Sequence, residues 1–275
     1  MQPLARSTRE AFTIVELLVV VAIIALLASL LLPALSSPKT RARLPVCMNH
    51  LRQMGLALQF YLQDHESRYP YCIGPADSPA ADTSNPTNYP AWDRRWWFSK
   101  LLPYYPVQWT NAAYHCPGYK GAIKGTGAGS GPRGSYAYNE RGVRIGFTDY
   151  TDPETGAHIK FPPGNFGLGP RVRANSTLST SETAVKVPSE MFAIGESRFL
   201  NAQINSDVGG IPGMLCGALH RKSFRFDPAR HGKNYNQLFC DGHVAQMNPW
   251  ILFNPTNSAS LWNYDHQPHP ELWVP

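Results

Sequence analysis

A chain of 275 residues that is 43% hydrophobic and only 16% charged has the apolar mass to fill a core and is not a charged, disordered tail protein. Its 22 glycines and 25 prolines exceed ordinary usage and argue for many turns and long loops rather than a helical bundle. The net charge of +6 is spread along the chain in short groups such as Lys39-Thr40-Arg41-Ala42-Arg43, so a solvated basic surface is expected and no specific nucleic acid.

Leu17 to Leu32 is a run of sixteen residues in which Ser29 is the only polar one. Extended to Phe12–Leu35 it makes roughly 36 Å of helix, enough to cross a hydrocarbon core of about 30 Å. Arg6, Arg9 and the small residues of Ala34-Leu35-Ser36 also suit a cleaved secretory signal. Glu16 argues against both a plain signal and a plain anchor. A carboxylate at the centre of a membrane helix costs roughly 2.5–3.5 kcal/mol, less near the interface, and this segment supplies no cation to pair with it.

The stretch Ala11-Phe12-Thr13-Ile14-Val15-Glu16-Leu17-Leu18-Val19-Val20, behind a short basic leader, resembles the N-terminal cleavage and methylation motif of type IV prepilins and type II secretion pseudopilins. The resemblance implies cleavage between Ala11 and Phe12 by a prepilin peptidase and N-methylation of Phe12. Ala11 departs from the family, which usually has glycine there, but alanine is small enough for cleavage. The resemblance also gives Glu16 a partner, the new Phe12 ammonium of a neighbouring subunit in a filament. Arg6 and Arg9 before the span and Lys39, Arg41 and Arg43 after it leave orientation undecided by charge. The resemblance places the leader in the cytoplasm and the bulk of the chain outside. Pro33 has two readings: a kink in a long helix, or a helix end at the membrane surface reinforced by Pro38 and Pro45.

Beyond Pro45, Cys47, Met48, Leu51, Met54, Leu58, Tyr61 and Leu62 recur at three- and four-residue spacing and predict an amphipathic helix to about Asp64. The segment from Cys47 to Leu58, running on to Arg68-Tyr69-Pro70, resembles the helix-to-loop region of the processing-associated subgroup of these proteins. Residues 72–135 read as irregular. The glycine run 125–131 lacks the Lys-Ser/Thr of a phosphate loop and is expected to be a flexible loop. Trp92, Trp96, Trp97 and Trp109 support two readings, a stacking platform for sugars or a partner and an aromatic mini-core that pins the loops.

Strands are expected at Ser135–Tyr138, Met191–Ile194 and Gln237–Cys240, the last turning through Asp241-Gly242 into His243–Met247 as a hairpin. His231, nine intervening residues and Asp241-Gly242 match the H-X9-DG signature of the processing-associated subgroup; His115-Cys116-Pro117, Tyr136-Ala137-Tyr138-Asn139 and Leu261-Trp262-Asn263-Tyr264 support the resemblance. A strand between His231 and Asp241 puts them at its opposite ends in structural roles, with Asp241 and Gly242 shaping the turn, and no nucleophile elbow accompanies them. His266, His269 and Glu271 are weak metal ligands, because Pro268 and Pro270 break any helical face, and the calcium loop of major pseudopilins has no acidic counterpart here. Of the five cysteines, none forms a CxxC. Outside the cytoplasm one or two disulfides are plausible, Cys47 or Cys72 with Cys116 and Cys216 with Cys240 being the pairings considered.

Together these readings predict an α+β protein: leader 1–11, transmembrane and assembly helix 12–37, amphipathic continuation 38–66, and a β-rich head with long loops over 67–275. The pilin-like resemblance implies a structural subunit of a type II secretion pseudopilus or type IV pilus-like filament. It would sit as a single-pass protein of the inner membrane with the head on the extracytoplasmic side. Its partners would be prepilin peptidase, other pilin-like subunits and the membrane. No catalytic residue, cofactor or metal is expected. The alternative is an anchored polysaccharide- or surface-binding protein that uses the segment 92–109.

Overall fold

The computed structural model describes residues 13–72, 96–119, 121, 123, 133–143, 149–151, 158–160, 166–169, 179–196, 213–214, 231, 234–252 and 254–272, with backbone alone over 30–42 and in the strand residues 149–151, 158–160 and 213–214. The leader 1–11, Phe12, Trp92, the glycine run and Cys216 lie outside the described residues. The chain divides into two compact units, Met1–Ala42 and Arg43–Pro275.

Helix α1 spans Ile14–Asp64, so the helix end considered at Pro33 is not formed. Each of Pro33, Pro38 and Pro45 removes one N–H from the backbone ladder, a loss the helix accommodates without ending. It stops at Asp64, after which Glu66 and Ser67 adopt φ of 53° and 52°. In the first unit the apolar side chains from Ile14 to Leu27 face solvent. Among the described residues no helix is long and apolar enough to cross a membrane; the expected span 12–37 reaches beyond them, since residue 12 and the side chains of 30–42 are not described.

In the second unit the periodic residues of α1 do what their spacing predicts. Cys47, Leu51, Met54, Leu58, Tyr61 and Leu62 are buried and Met48 is only half-buried; Ala57, outside the expected set, joins the buried stripe, while Leu56 and Phe60 on the opposite face are exposed. The buried stripe packs on a five-stranded sheet of order β5-β1-β4-β6-β7, formed by β1 (Tyr136–Asn139), β4 (Phe192–Glu196), β5 (Gly213–Met214), β6 (Tyr235–Phe239) and β7 (Val244–Met247). All pairings are antiparallel except β1 with β5. A separate two-stranded sheet joins β2 (Asp149–Thr151) to β3 (His158–Lys160). Gly55 permits the close approach of α1 to the sheet, because a Cβ there would lie 2.8 Å from Leu238 Cδ1.

Strands β1, β4 and β6 are buried along their whole lengths, so both faces of the sheet are covered. Tyr136, Tyr138, Ala193, Ile194 and Leu238 share a core with α1, whereas Ala137, Phe192, Tyr235 and Phe239 pack with Leu252, Ala259 and Trp262. The second core comes from the C-terminal helices α3 (Pro249–Leu252) and α4 (Pro255–Trp262). Asn254 caps α4 by accepting the Thr256 N–H at 3.2 Å, with Pro255 at the first helical position. The result is a helix, sheet, helix sandwich closed by Trp262 edge-on to Phe192 at 5.1 Å.

Trp96, Trp97 and Trp109 are buried in the core shared with α1. α2 (Trp97–Lys100) supplies Trp97, which stacks on Tyr138 with ring centroids 5.6 Å apart, and Phe98, which stacks on Trp109 at 4.3 Å. These three rings therefore present no sugar-stacking surface, a correction to the binding-platform reading. Burying rings of this size against a short sheet ties the irregular chain around residues 96–119 to the core.

Candidate functional site

Among the described residues two places carry chemistry: the start of α1 and a buried cluster around His231. At the start of α1, Thr13 precedes the first helical residue and its carbonyl accepts the Leu17 N–H at 3.2 Å. Its backbone N–H and its hydroxyl both donate to Glu16 Oε2, at 2.9 and 2.7 Å, and the Glu16 N–H donates back to the hydroxyl at 3.3 Å. This is a capping box, in which residues three apart satisfy each other's free donors. The Thr-x-x-Glu spacing that announces it is legible in the sequence; Thr13 gives Glu16 neutral donors, and no cation from its own segment pairs with it among the described residues.

The second place forms from four distant segments. Cys47 on α1 and Cys116, in the loop after a 3-10 turn over Ala112–Tyr114, form a disulfide with Cα atoms 5.0 Å apart. His231 Nε2 lies 3.1 Å from Cys116 Sγ and 2.8 Å from Oε1 of Glu196, the last residue of β4. His231 and Glu196 side chains are 1% and 0% exposed. Glu196 Oε2 accepts the Asn236 N–H at 2.9 Å, and Cys116 Sγ accepts the Gly118 N–H at 3.3 Å. His231 holds φ of 45°, a left-handed backbone uncommon for a residue with a side chain. Its Nδ1 has no hydrogen-bond partner among the described residues. One atom from each of Cys47, Cys116, Glu196 and His231 falls within 4.8 Å of all the others.

Beside the disulfide, His115 is buried and holds one tautomer. Ser135 donates its backbone N–H to Nδ1 at 3.1 Å, so the proton sits on Nε2, which donates to the Trp109 carbonyl at 2.6 Å. Burial, against the opposing pull of that carbonyl, brings the imidazole pKa down to about 4. The Cys216–Cys240 pairing is not formed: Cys240 is a free, buried thiol, and burial pushes its pKa up to about 12.

His231 and Asp241 flank β6 and bond different partners. Asp241 Oδ1 accepts the His243 N–H at 3.1 Å and lies 2.6 Å from His243 Nδ1, while Gly242 takes φ of 94° in the turn. At the C-terminus His269 lies between Asp265 and Glu271, at 2.7 and 3.0 Å, and His266 pairs with Glu190 instead. His266, His269 and Glu271 thus do not converge on one centre. No spacing rule links positions 47, 116, 196 and 231, so the convergence around His231 had no signal in the sequence.

No curated protein and no solved structure matches the chain. Residues 6–32 match the family model of the prokaryotic N-terminal methylation motif. That motif points to a type IV pilin-like or pseudopilin subunit.

Proposed function

We propose that the chain is a structural subunit of a type II secretion pseudopilus or a type IV pilus-like filament, and not an enzyme. The observation that carries this reading is the methylation motif over residues 6–32. Prepilin peptidase cleaves after Ala11, Phe12 becomes the N-methylated first residue, and the segment 12–37 serves first as the membrane span and then as the assembly helix. The head stands on the extracytoplasmic side, and the H-X9-DG residues His231, Asp241 and Gly242 belong to its fold. An α+β head whose sheet packs on the C-terminal part of the same helix supports a pilin-like architecture. Intact mass and N-terminal sequencing of the protein recovered from its native membrane test the proposal. A chain beginning at N-methylated Phe12 is expected; a chain beginning at Met1, or after Ser36, refutes it.

A further inference from the structure

We propose that Cys47, Cys116, Glu196 and His231 form a structural zinc site when the two cysteines are in the dithiol state, with the Cys47–Cys116 disulfide as its oxidised alternative. The inference is independent of the pilin-like reading.

Its first support is geometric. Four ligand atoms of the types zinc prefers, two sulfurs, an imidazole nitrogen and a carboxylate oxygen, lie within 4.8 Å of one another. A tetrahedral zinc ion with such ligands has neighbouring donors roughly 3.4–3.8 Å apart. His231 Nε2 is 3.1 Å from sulfur and 2.8 Å from oxygen, so a small outward movement of each side chain accommodates a central ion.

The second support is the chemistry of His231 Nε2. One ring nitrogen faces both Cys116 Sγ and Glu196 Oε1 and carries at most one proton, which satisfies at most one of them. A cation at the shared centre serves both contacts through the nitrogen lone pair and places positive charge beside a fully buried carboxylate. The surroundings already orient two of the ligands: the Asn236 N–H holds Glu196 Oε2, and the Gly118 N–H points at Cys116 Sγ, where it stabilises a thiolate. Two thiolates and an imidazole select a borderline-soft ion over calcium or magnesium.

A phosphine takes up oxygen from water as the disulfide gains two electrons and two protons. The two thiols then release those protons as zinc binds.

The test uses the full-length chain in detergent, reduced with a phosphine and titrated with cobalt(II) as the spectroscopic probe without oxygen. About one cobalt per chain is expected, with the visible bands of tetrahedral cobalt and a sulfur-to-cobalt charge-transfer band, all displaced by zinc. The oxidised chain shows neither. Cys47→Ser and Cys116→Ser weaken the charge-transfer band, His231→Gln and Glu196→Gln shift the visible bands and weaken binding, and Cys240→Ser changes nothing. Should reduction unfold the head, zinc is expected to restore its near-ultraviolet circular dichroism. Absence of tetrahedral bands from the reduced, folded chain overturns the proposal, as do bands unchanged in the Cys47→Ser and His231→Gln variants, or a reduced chain that zinc fails to refold.

Discussion

Thr13 and Glu16 satisfy each other at the start of α1, through two bonds to one carboxylate oxygen and one bond returned to the threonine hydroxyl. In a single subunit the capping box therefore occupies the same carboxylate that the proposed filament pairs with the Phe12 ammonium of a neighbour. The two roles separate by mutation. Thr13→Ala removes the cap alone, so faster amide exchange in the first turn of α1 is expected with assembly retained. Glu16→Ala removes both and is expected to leave membrane insertion intact while stopping incorporation into filaments. Equal assembly of the two variants, measured in sheared filament fractions, would limit Glu16 to capping.

The disulfide closes a sequence separation of 69 residues. The chain-entropy relation assigns such a loop roughly 4 kcal/mol of stabilisation. Reduction in the presence of a chelator is expected to lower the denaturant midpoint accordingly. Intact mass in the absence of reductant checks the bond itself, since reduction must add the mass of two hydrogens to the oxidised chain.

His115 makes the head sensitive to mild acid. Its folded pKa of about 4 lies below the ordinary 6.5, so between those values the unfolded chain takes up a proton that the folded chain refuses. The contribution is fully present above pH 6.5 and is lost as pH falls toward 4, on the order of 3 kcal/mol at most. Urea titrations from pH 7 to pH 4 should show this decline in the wild type and a flatter dependence in His115→Gln. Parallel slopes would mean that His115 is not the source.

Asn139 joins the sheet to the C-terminal helices. Its amide donates to the carbonyls of Phe192 and Trp262, both at 2.8 Å, and its oxygen accepts the Gly142 N–H at 3.1 Å. Asn139→Ala leaves buried backbone groups unpaired, at a cost on the order of 3 kcal/mol. Asn139→Asp is expected to be worse, because it removes both donors and turns a carboxylate toward two carbonyls. Thermal unfolding followed by near-ultraviolet dichroism is expected to rank the three proteins in that order.

Gly195 faces Gln237 across the β4–β6 pair, and a Cβ at that position would collide with the Gln237 side-chain amide. Gly195→Ala is expected to destabilise by roughly 1–3 kcal/mol. The double variant Gly195→Ala, Gln237→Ala should recover part of that loss, which a double-mutant cycle in urea measures.

Local order was legible in the sequence. Three- and four-residue spacing located the buried face of α1 from Cys47 to Leu62, and Asp-Gly between apolar runs located the β6–β7 turn. The Ala11–Val20 pattern located the methylation motif, because such a motif and the entry of a helix are both written in contiguous residues. Proline punctuation left two readings open at Pro33, and the helix continues there, since one missing hydrogen bond does not outweigh the propagation of a long helix on either side. The small sheet of β2 and β3 and the layer formed by α3 and α4 carried too little periodicity to announce themselves.

The sequence by itself determined the N-terminal motif, the amphipathic face of α1 and the places of β1, β4, β6 and β7 along the chain, all of which depend on neighbours within a few turns or along one strand. Only the tertiary structure decided that Trp96, Trp97 and Trp109 face inward, that Cys116 pairs with Cys47, and that Glu196 and His231 meet beside that pair. Each of those contacts joins residues from separate segments, and burial in a shared core, which no local pattern encodes, brings them together.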